Sequence, residues 1–290
     1  VDISKNICYF ERIFFHSQNK YVNYERNNDC SEIRCYPIKS CAGVSLQTAE
    51  VGRMGIKYDR QWMVVDANGT FVSKREITMM SQIKVIFSPN QDYLYVNAQN
   101  MSTLMIPTQG FPGEFLEVKV WDTICTAIEQ GKKVNDWFTK FLSRTKPGHY
   151  RLVRMPDNYE RIGSDGVSNL AFADGYPFLF LSQASIDDLN SKLTDKLPAN
   201  RFRTNILLDG CIPYFEDSMD TCRIGTVSFT GKTLCPRCPI TTTNQKTSEH
   251  AKEPLRTLAT YRKTDAGVVF ARNFVHENQG IISVGDIVHC

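Results

Sequence analysis

The sequence predicts an α+β fold built around a barrel-like sheet. Three observations carry that reading. Short β-branched or aromatic runs bounded by turn residues recur along the chain, helical periodicity is confined to three stretches, and strand and helix do not alternate as they do in a parallel βαβ sheet. In the first half the strand runs are Ile33 to Ile38, Gln61 to Val65, Phe71 to Ser73, Ile83 to Phe87, Tyr93 to Val96 and Phe115 to Trp121. Between the second and third, Asp66-Ala67-Asn68-Gly69-Thr70 supplies the Asn-Gly of a hairpin turn. Residues 1–31 show neither a helical nor an alternating period and read as an appendage.

The first helix is expected from Lys133, where Val134, Trp137, Phe138, Phe141 and Leu142 fall on one face and Pro147-Gly148 follows. The second covers Gln183 to Leu193 with Ser182 as its N-cap, and the third starts at Pro254, with Leu255 and Leu258 turned inward. Strands resume around them at Pro177 to Leu181, Thr204 to Leu208, Thr226 to Phe229, Val268 to Ala271 and Ile281 to Val284. No internal repeat is visible.

At 290 residues and 42% hydrophobic content the chain can bury a large core, which excludes general disorder. Its longest strongly apolar stretch, Tyr176 to Leu181, is far short of the roughly 20 residues that span a bilayer. Charge is nearly balanced (34 Lys+Arg against 31 Asp+Glu), without a basic stripe or interleaved aromatics, so a nucleic-acid partner is not expected. The 10 cysteines are too sparse for a disulfide-stapled scaffold and read as mostly reduced thiols inside a cell. Asp2, Glu11 and Arg12 interrupt what would be the apolar segment of a signal peptide.

The sharpest chemical signal is Cys235-Pro236-Arg237-Cys238. Half of a zinc site is one reading, but no second paired motif supplies the other ligands. A thioredoxin-like dithiol is another; it needs a helix after the pair, whereas Pro239 and the β-branched Ile240-Thr241-Thr242-Thr243 suggest a strand or loop. The third is a single reactive or metal-ligating thiolate beside Arg237, and the plain alternative is a pair of buried structural cysteines. Elsewhere Lys39 and Ser40, in Tyr36-Pro37-Ile38-Lys39-Ser40-Cys41, place a cation and a hydroxyl after a strand, as a phosphate site or as a solvated turn. Arg60 follows Asp59 where a strand opens, either as an anion ligand or as an ordinary ion pair. Arg201, Arg203 and Asn205 lie before another strand, and Asp174 with Gly175 and Tyr176 forms a turn carrying an acid.

Taken in order, Tyr36 to Cys41, Tyr58 to Val65, Asp174 to Leu181, Arg201 to Asp209, Cys235 to Cys238 and Ile281 to Val288 resemble the MOSC family, within it the amidoxime-reducing component type. The likeness runs from about Ile33 to the C-terminus. It implies residues 32–146 as an N-terminal MOSC β-barrel domain and 147–290 as the MOSC domain with the cofactor site. It also implies a molybdenum cofactor (Mo-molybdopterin) whose metal is bound by Cys238, the second cysteine of the pair. Lys39, Ser40, Arg60, Gly175, Tyr176, Arg203, Asn205 and Arg237 match its cofactor-binding positions, and Asp174 matches an acid that relays protons. This chain departs from the pattern at Pro236, where Ser is frequent, at Gly175-Tyr176, where animal members have Thr-Ser, at Thr204 for Pro and at Met219 for Trp. These changes bear on substrate preference more than on cofactor binding.

The resemblance implies a reductase of N-hydroxylated compounds: amidoximes, hydroxylamines and N-hydroxylated bases. No iron–sulfur or haem motif is visible, so electrons are expected from a partner protein. That partner is a cytochrome b5 with its reductase in a eukaryote, and an iron–sulfur or flavin reductase in a bacterium. Location follows as mitochondrial outer membrane or cytoplasm respectively. No fused donor domain is expected, since the chain ends at Cys290 soon after the last motif. A cofactor carrier like the C-terminal module of molybdenum cofactor sulfurases is the alternative, and a non-enzymatic domain with a structural thiol pair is a third.

Overall fold

A computed structural model describes residues 28–110 and 112–290; most of the appendage, residues 1–27, lies outside the described residues. The described chain is of the α+β class read from its sequence, with strands gathered in four sheets and only short helices. The largest sheet runs, edge to edge, through Val288–His289, Thr221–Ile224, Val227–Pro236, Gly267–His276, Phe178–Ser182, Ile206–Asp209, Asp29–Cys35 and Val44–Leu46, with Lys263–Thr264 attached to Gly267–His276. A second comprises Trp62–Val65, Arg151–Arg154, Thr123–Glu129 and Phe115–Val120. Two smaller antiparallel sheets are Gly280–Ser283 with Thr48–Gly52 and Gly55–Ile56, and Lys84–Phe87 with Tyr93–Asn97 and Leu104–Pro107.

Pairing within the large sheet is antiparallel except between Phe178–Ser182 and Ile206–Asp209, which run parallel with Phe180 opposite Ile206. A parallel pair needs a crossover, and helix α2 (Gln183–Ser191) provides it. Ser182 caps that helix by accepting from Ser185 N at 3.1 Å, as its sequence position suggests. Helix α1 (Lys132–Leu142) buries the five apolar residues of the expected stripe. The third expected helix is one turn, Leu255–Leu258, with Leu258 buried.

The Asn-Gly turn is present: Gly69 has φ +76°, and Asp66 Oδ1 accepts from Asn68 N and Thr70 N. The following run makes isolated bridges at Thr70 and Phe71 in place of a strand, because Ser73 turns the chain with its carbonyl accepting from Glu76 N and Ile77 N. The first strand begins at Asp29, earlier than the period of the sequence suggests, because Asp29 and Cys30 pair with Asp209 and Leu208. That N-terminal strand thus lies inside a sheet made mostly by the C-terminal half, and it carries Tyr36 to Cys41 to the ends of Phe178–Ser182 and Ile206–Asp209.

Phe178, Phe180, Phe229 and Phe274 are fully buried at the centre of the large sheet, with Phe180 stacked on Phe274 at 4.2 Å between ring centroids. Burial of such rings is the main driving force holding the sheet's face. Among the described residues, no helix is long and apolar enough to cross a membrane.

Candidate functional site

A cavity of about 350 Å³ opens where the two halves of the sequence meet. The ten residues that the resemblance assigns to the site line it, namely Lys39, Ser40, Arg60, Asp174, Gly175, Tyr176, Arg203, Asn205, Arg237 and Cys238, whereas Arg201 does not. Its wall holds five cationic side chains, Lys39, Arg60, Arg203 and Arg237 with Arg75, against the single carboxylate of Asp174.

Three residues of the wall are set by backbone that few side chains adopt. Ser40, Arg60 and Arg203 have φ of +72°, +48° and +59°, the left-handed region that is uncommon outside glycine and gathers at functional sites. Their surroundings hold them there. Arg60 N donates to the Tyr36 carbonyl and Trp62 N to that of Pro37, so the segments 36–39 and 60–62 lie side by side. Cys41 N closes a turn onto Ile38 O around Ser40. Arg203 ends the one-turn 3-10 helix Ala199–Phe202.

Tyr36 lies under two guanidiniums, with Arg203 Cζ 4.2 Å and Arg60 Cζ 4.6 Å from its ring centroid. Each stack is a cation–π contact. Burial pushes the Tyr36 phenol up to about 12, against the pull of those cations, so it stays neutral. Arg60 is further held by Asp59 and by Asn205 Oδ1, 3.0 Å from its Nη1. Asn205 is itself tied down: its oxygen also accepts from Leu179 N and its amide donates to Arg34 O. In this arrangement Asn205 orients Arg60 and joins three segments, and its oxygen is already occupied by protein donors. Arg203 Nη1 donates to Cys41 O at 2.6 Å.

Lys39 Nζ donates to Phe172 O at 2.7 Å and to Asp174 Oδ1 at 2.5 Å. Burial pulls the lysine down from its ordinary range, opposed by Asp174. Burial also pushes the Asp174 carboxyl up, but Lys39 and the Trp121 Nε1 donor at 3.0 Å outweigh it and hold the acid below the usual carboxylate range. Asp174 therefore stands ionised. Its exposed surface faces the cavity.

Cys238 lies just before a 3-10 turn, Pro239–Thr242, not the strand or loop its β-branched neighbours suggest. The reason is local: Thr241 and Thr242 hydroxyls donate back to the carbonyls of Cys238 and Pro239, closing the turn that Pro239 starts. Arg75 Nη2 donates to Cys238 Sγ at 3.3 Å and stacks on Trp121, 4.6 Å from its ring centroid. Arg237 is fixed between Cys235 Sγ at 3.0 Å and Phe202 O at 2.6 Å. The two cysteines thus face different guanidiniums. No cluster of three or more His, Cys, Asp or Glu arranged to hold a metal occurs among the described residues.

Sequence reasoning missed Arg75, Trp121, Phe71, Ser73 and Thr233, which also line the cavity or brace it. Arg75 sits in a short polar run, Ser73-Lys74-Arg75-Glu76, and its contact with Cys238 spans 163 positions, so nothing local marks it.

Family models match in two consecutive blocks, the MOSC N-terminal beta barrel domain over residues 28–145 and the MOSC domain over residues 168–289. Mitochondrial amidoxime reducing component 2 of Bos taurus is 32% identical over 280 residues, covering 89% of this chain and 82% of that protein. Mitochondrial amidoxime-reducing component 1 of Homo sapiens gives the same identity and coverage, and its Danio rerio counterpart is 30% identical over 89% of this chain and 83% of that one. With both domains matched and these relatives similar along most of its length, the chain belongs to the MOSC family, among the amidoxime-reducing components.

Proposed function

We propose that the cavity holds a molybdenum cofactor through Cys238 and that the loaded protein reduces N-hydroxylated compounds. The observation that carries this is the convergence of five cations and one ionised acid on a cavity that Cys235 and Cys238 also line, in a chain similar to named amidoxime-reducing components. A strongly cationic, partly buried cavity is unfavourable unless an anion fills it, and a phosphorylated pterin dithiolene is such an anion. One thiolate suits a metal that brings most of its ligands with it, and soft sulfur suits a metal that changes oxidation state. The residues present fit the group.

Arg60, Arg203, Lys39 and Ser40 line the cavity and would hold the phosphate. Ser40 lines the cavity in left-handed backbone. Arg237, positioned by Cys235 and Phe202 O, would face the pterin, with Asn205 keeping Arg60 in place. When bound, the cofactor supplies the metal centre and electron store for removing the N–O oxygen, a reaction that takes two electrons and two protons and releases the amine or amidine with water. Arg75 Nη2, hydrogen-bonded to Cys238 Sγ, fixes the direction of the sulfur. Asp174, kept ionised at the cavity mouth, takes up a proton and passes it inward. Gly175 and Tyr176 shape the opening for substrate, with Tyr176 narrowing the wall where animal members have a smaller residue.

We read residues 32–146 as the barrel part and 147–290 as the part bearing Cys238. Electrons come from a partner protein, a cytochrome b5 or an iron–sulfur or flavin reductase. The mitochondrial names of the relatives support a mitochondrial location. A carrier module without reductase activity is disfavoured, because relatives along 89% of the chain bear the amidoxime-reducing name.

Benzamidoxime reduction with a chemical electron donor tests the reading. Wild type is expected to form benzamidine, and Cys238→Ala to fold normally with no turnover. Wild type loaded with cofactor and inert toward every N-hydroxylated compound tried would favour the carrier.

A further inference from the structure

Lys74 is the electrostatic anomaly of the cavity wall. Its side chain is fully buried, and Nζ has no hydrogen-bond partner among the described residues. The fixed charges acting on it are of its own sign: Arg203, Arg201 and Arg237. Its neighbours Ser73 and Arg75 both line the cavity, and Arg75 reaches Cys238. Lys74 therefore lies directly behind the wall at the end where the thiol sits.

A buried amine without a partner, among three guanidiniums, opposes folding of the empty chain. Burial first, then Arg203 and Arg201, pull it well below the usual lysine range. Such a group persists where something absent from the empty protein offsets it. Resting on the cofactor reading above, we propose that Lys74 is a positioning residue whose positive charge is completed by the anionic cofactor, so that it weakens the empty protein and tightens retention of the loaded one. In a low-dielectric interior one added charge behind the wall acts on the whole anion without touching it.

The two halves of this proposal move in opposite directions, which separates it from a structural role. Full-length wild type, Lys74→Met and Lys74→Ala are made in cells blocked in cofactor synthesis and in competent cells. Thermal unfolding is read on the empty proteins, and pterin release, by fluorescence after oxidation, on the loaded ones. Empty Lys74→Met is expected to unfold about 2–4 °C above wild type. Both loaded variants are expected to lose pterin roughly tenfold faster. Wild-type retention in Lys74→Met, or a lower unfolding temperature for its empty form, overturns the proposal. So does fast release from Lys74→Ala alone, which would make the side chain's volume the cause. Wild type without pterin from competent cells fails the cofactor reading itself, and this inference with it, whereas loaded wild type with an unaltered Lys74→Met fails this inference alone.

Discussion

Three side chains of the cavity wall, Ser40, Arg60 and Arg203, sit in left-handed backbone, each at a cost of about 1–3 kcal/mol that the surrounding hydrogen bonds offset. At this scale the sequence was readable where a motif puts several functional groups side by side, as at Lys39-Ser40, Arg203-Thr204-Asn205 and Arg237-Cys238. It was silent where one side chain in an ordinary loop gains its meaning from a distant partner, as with Arg75 on Cys238, Trp121 on Asp174, or Lys74 behind the wall. Asp174 is held ionised by Lys39 and Trp121, so Asp174→Asn is expected to slow amidoxime turnover with pterin content unchanged. Full turnover of that variant at saturating electron supply would remove Asp174 as the proton relay. Glu216 offers a pH test of stability. It is fully buried, Oε1 accepts from Ser185 Oγ at 2.8 Å, and Oε2 has no partner. Burial raises its carboxyl above the ordinary range. The folded state therefore favours the protonated acid, with no penalty below the unfolded value near ~4.3 and a growing penalty as pH rises toward the folded value. Glu216→Gln, which keeps the acceptor for Ser185 without the charge, is expected to stabilise the protein at pH 8 and to lose that advantage near pH 4. Denaturant unfolding at both pH values checks this, and an equal effect at both would contradict it.

Elements with a strong local signature were legible. Helix α1 was marked by its apolar stripe, helix α2 by Ser182 and Leu189, and the central strands by runs such as Phe178 to Leu181. The missed strands, among them Val44–Leu46, Thr48–Gly52 and Arg151–Arg154, are short and polar or mixed, and take extended form because a neighbouring strand pairs with them. The turn after Cys238 was misjudged for a related reason: threonines favour strands in isolation, but here their hydroxyls satisfy the turn's own carbonyls. The cap of α2 is testable directly. Ser182 is buried, accepts from Ser185 N, and shares a hydrogen bond with Ser185 Oγ at 2.6 Å. Ser182→Ala is expected to cost about 1–2 kcal/mol in urea unfolding, and a change within error would mean that the cap contributes nothing.

In the whole molecule, the site exists because the chain crosses its own halves. Strand Asp29–Cys35 pairs with Ile206–Asp209 and delivers Lys39 and Ser40 to Arg203 and Asn205, while Trp62–Val65 pairs with Arg151–Arg154 and carries Arg60 in. Arg75 and Trp121 then reach across to Cys238 and Asp174. Long-range pairing of this kind leaves no trace in a local window, so the α+β class was legible while the shared sheet was not. The resemblance implied which cysteine and which cations belong to one site, and the cavity is lined by those residues together with Cys235. Binding of a molybdenum pterin in this shared cavity through Cys238 is tested by metal analysis for Mo, Zn and Fe, with oxidative release of a fluorescent pterin, on wild type and Cys238→Ala from cofactor-competent cells. Near-stoichiometric Mo with pterin is expected in wild type and loss of Mo in the variant; stoichiometric Zn without pterin in wild type would overturn the assignment.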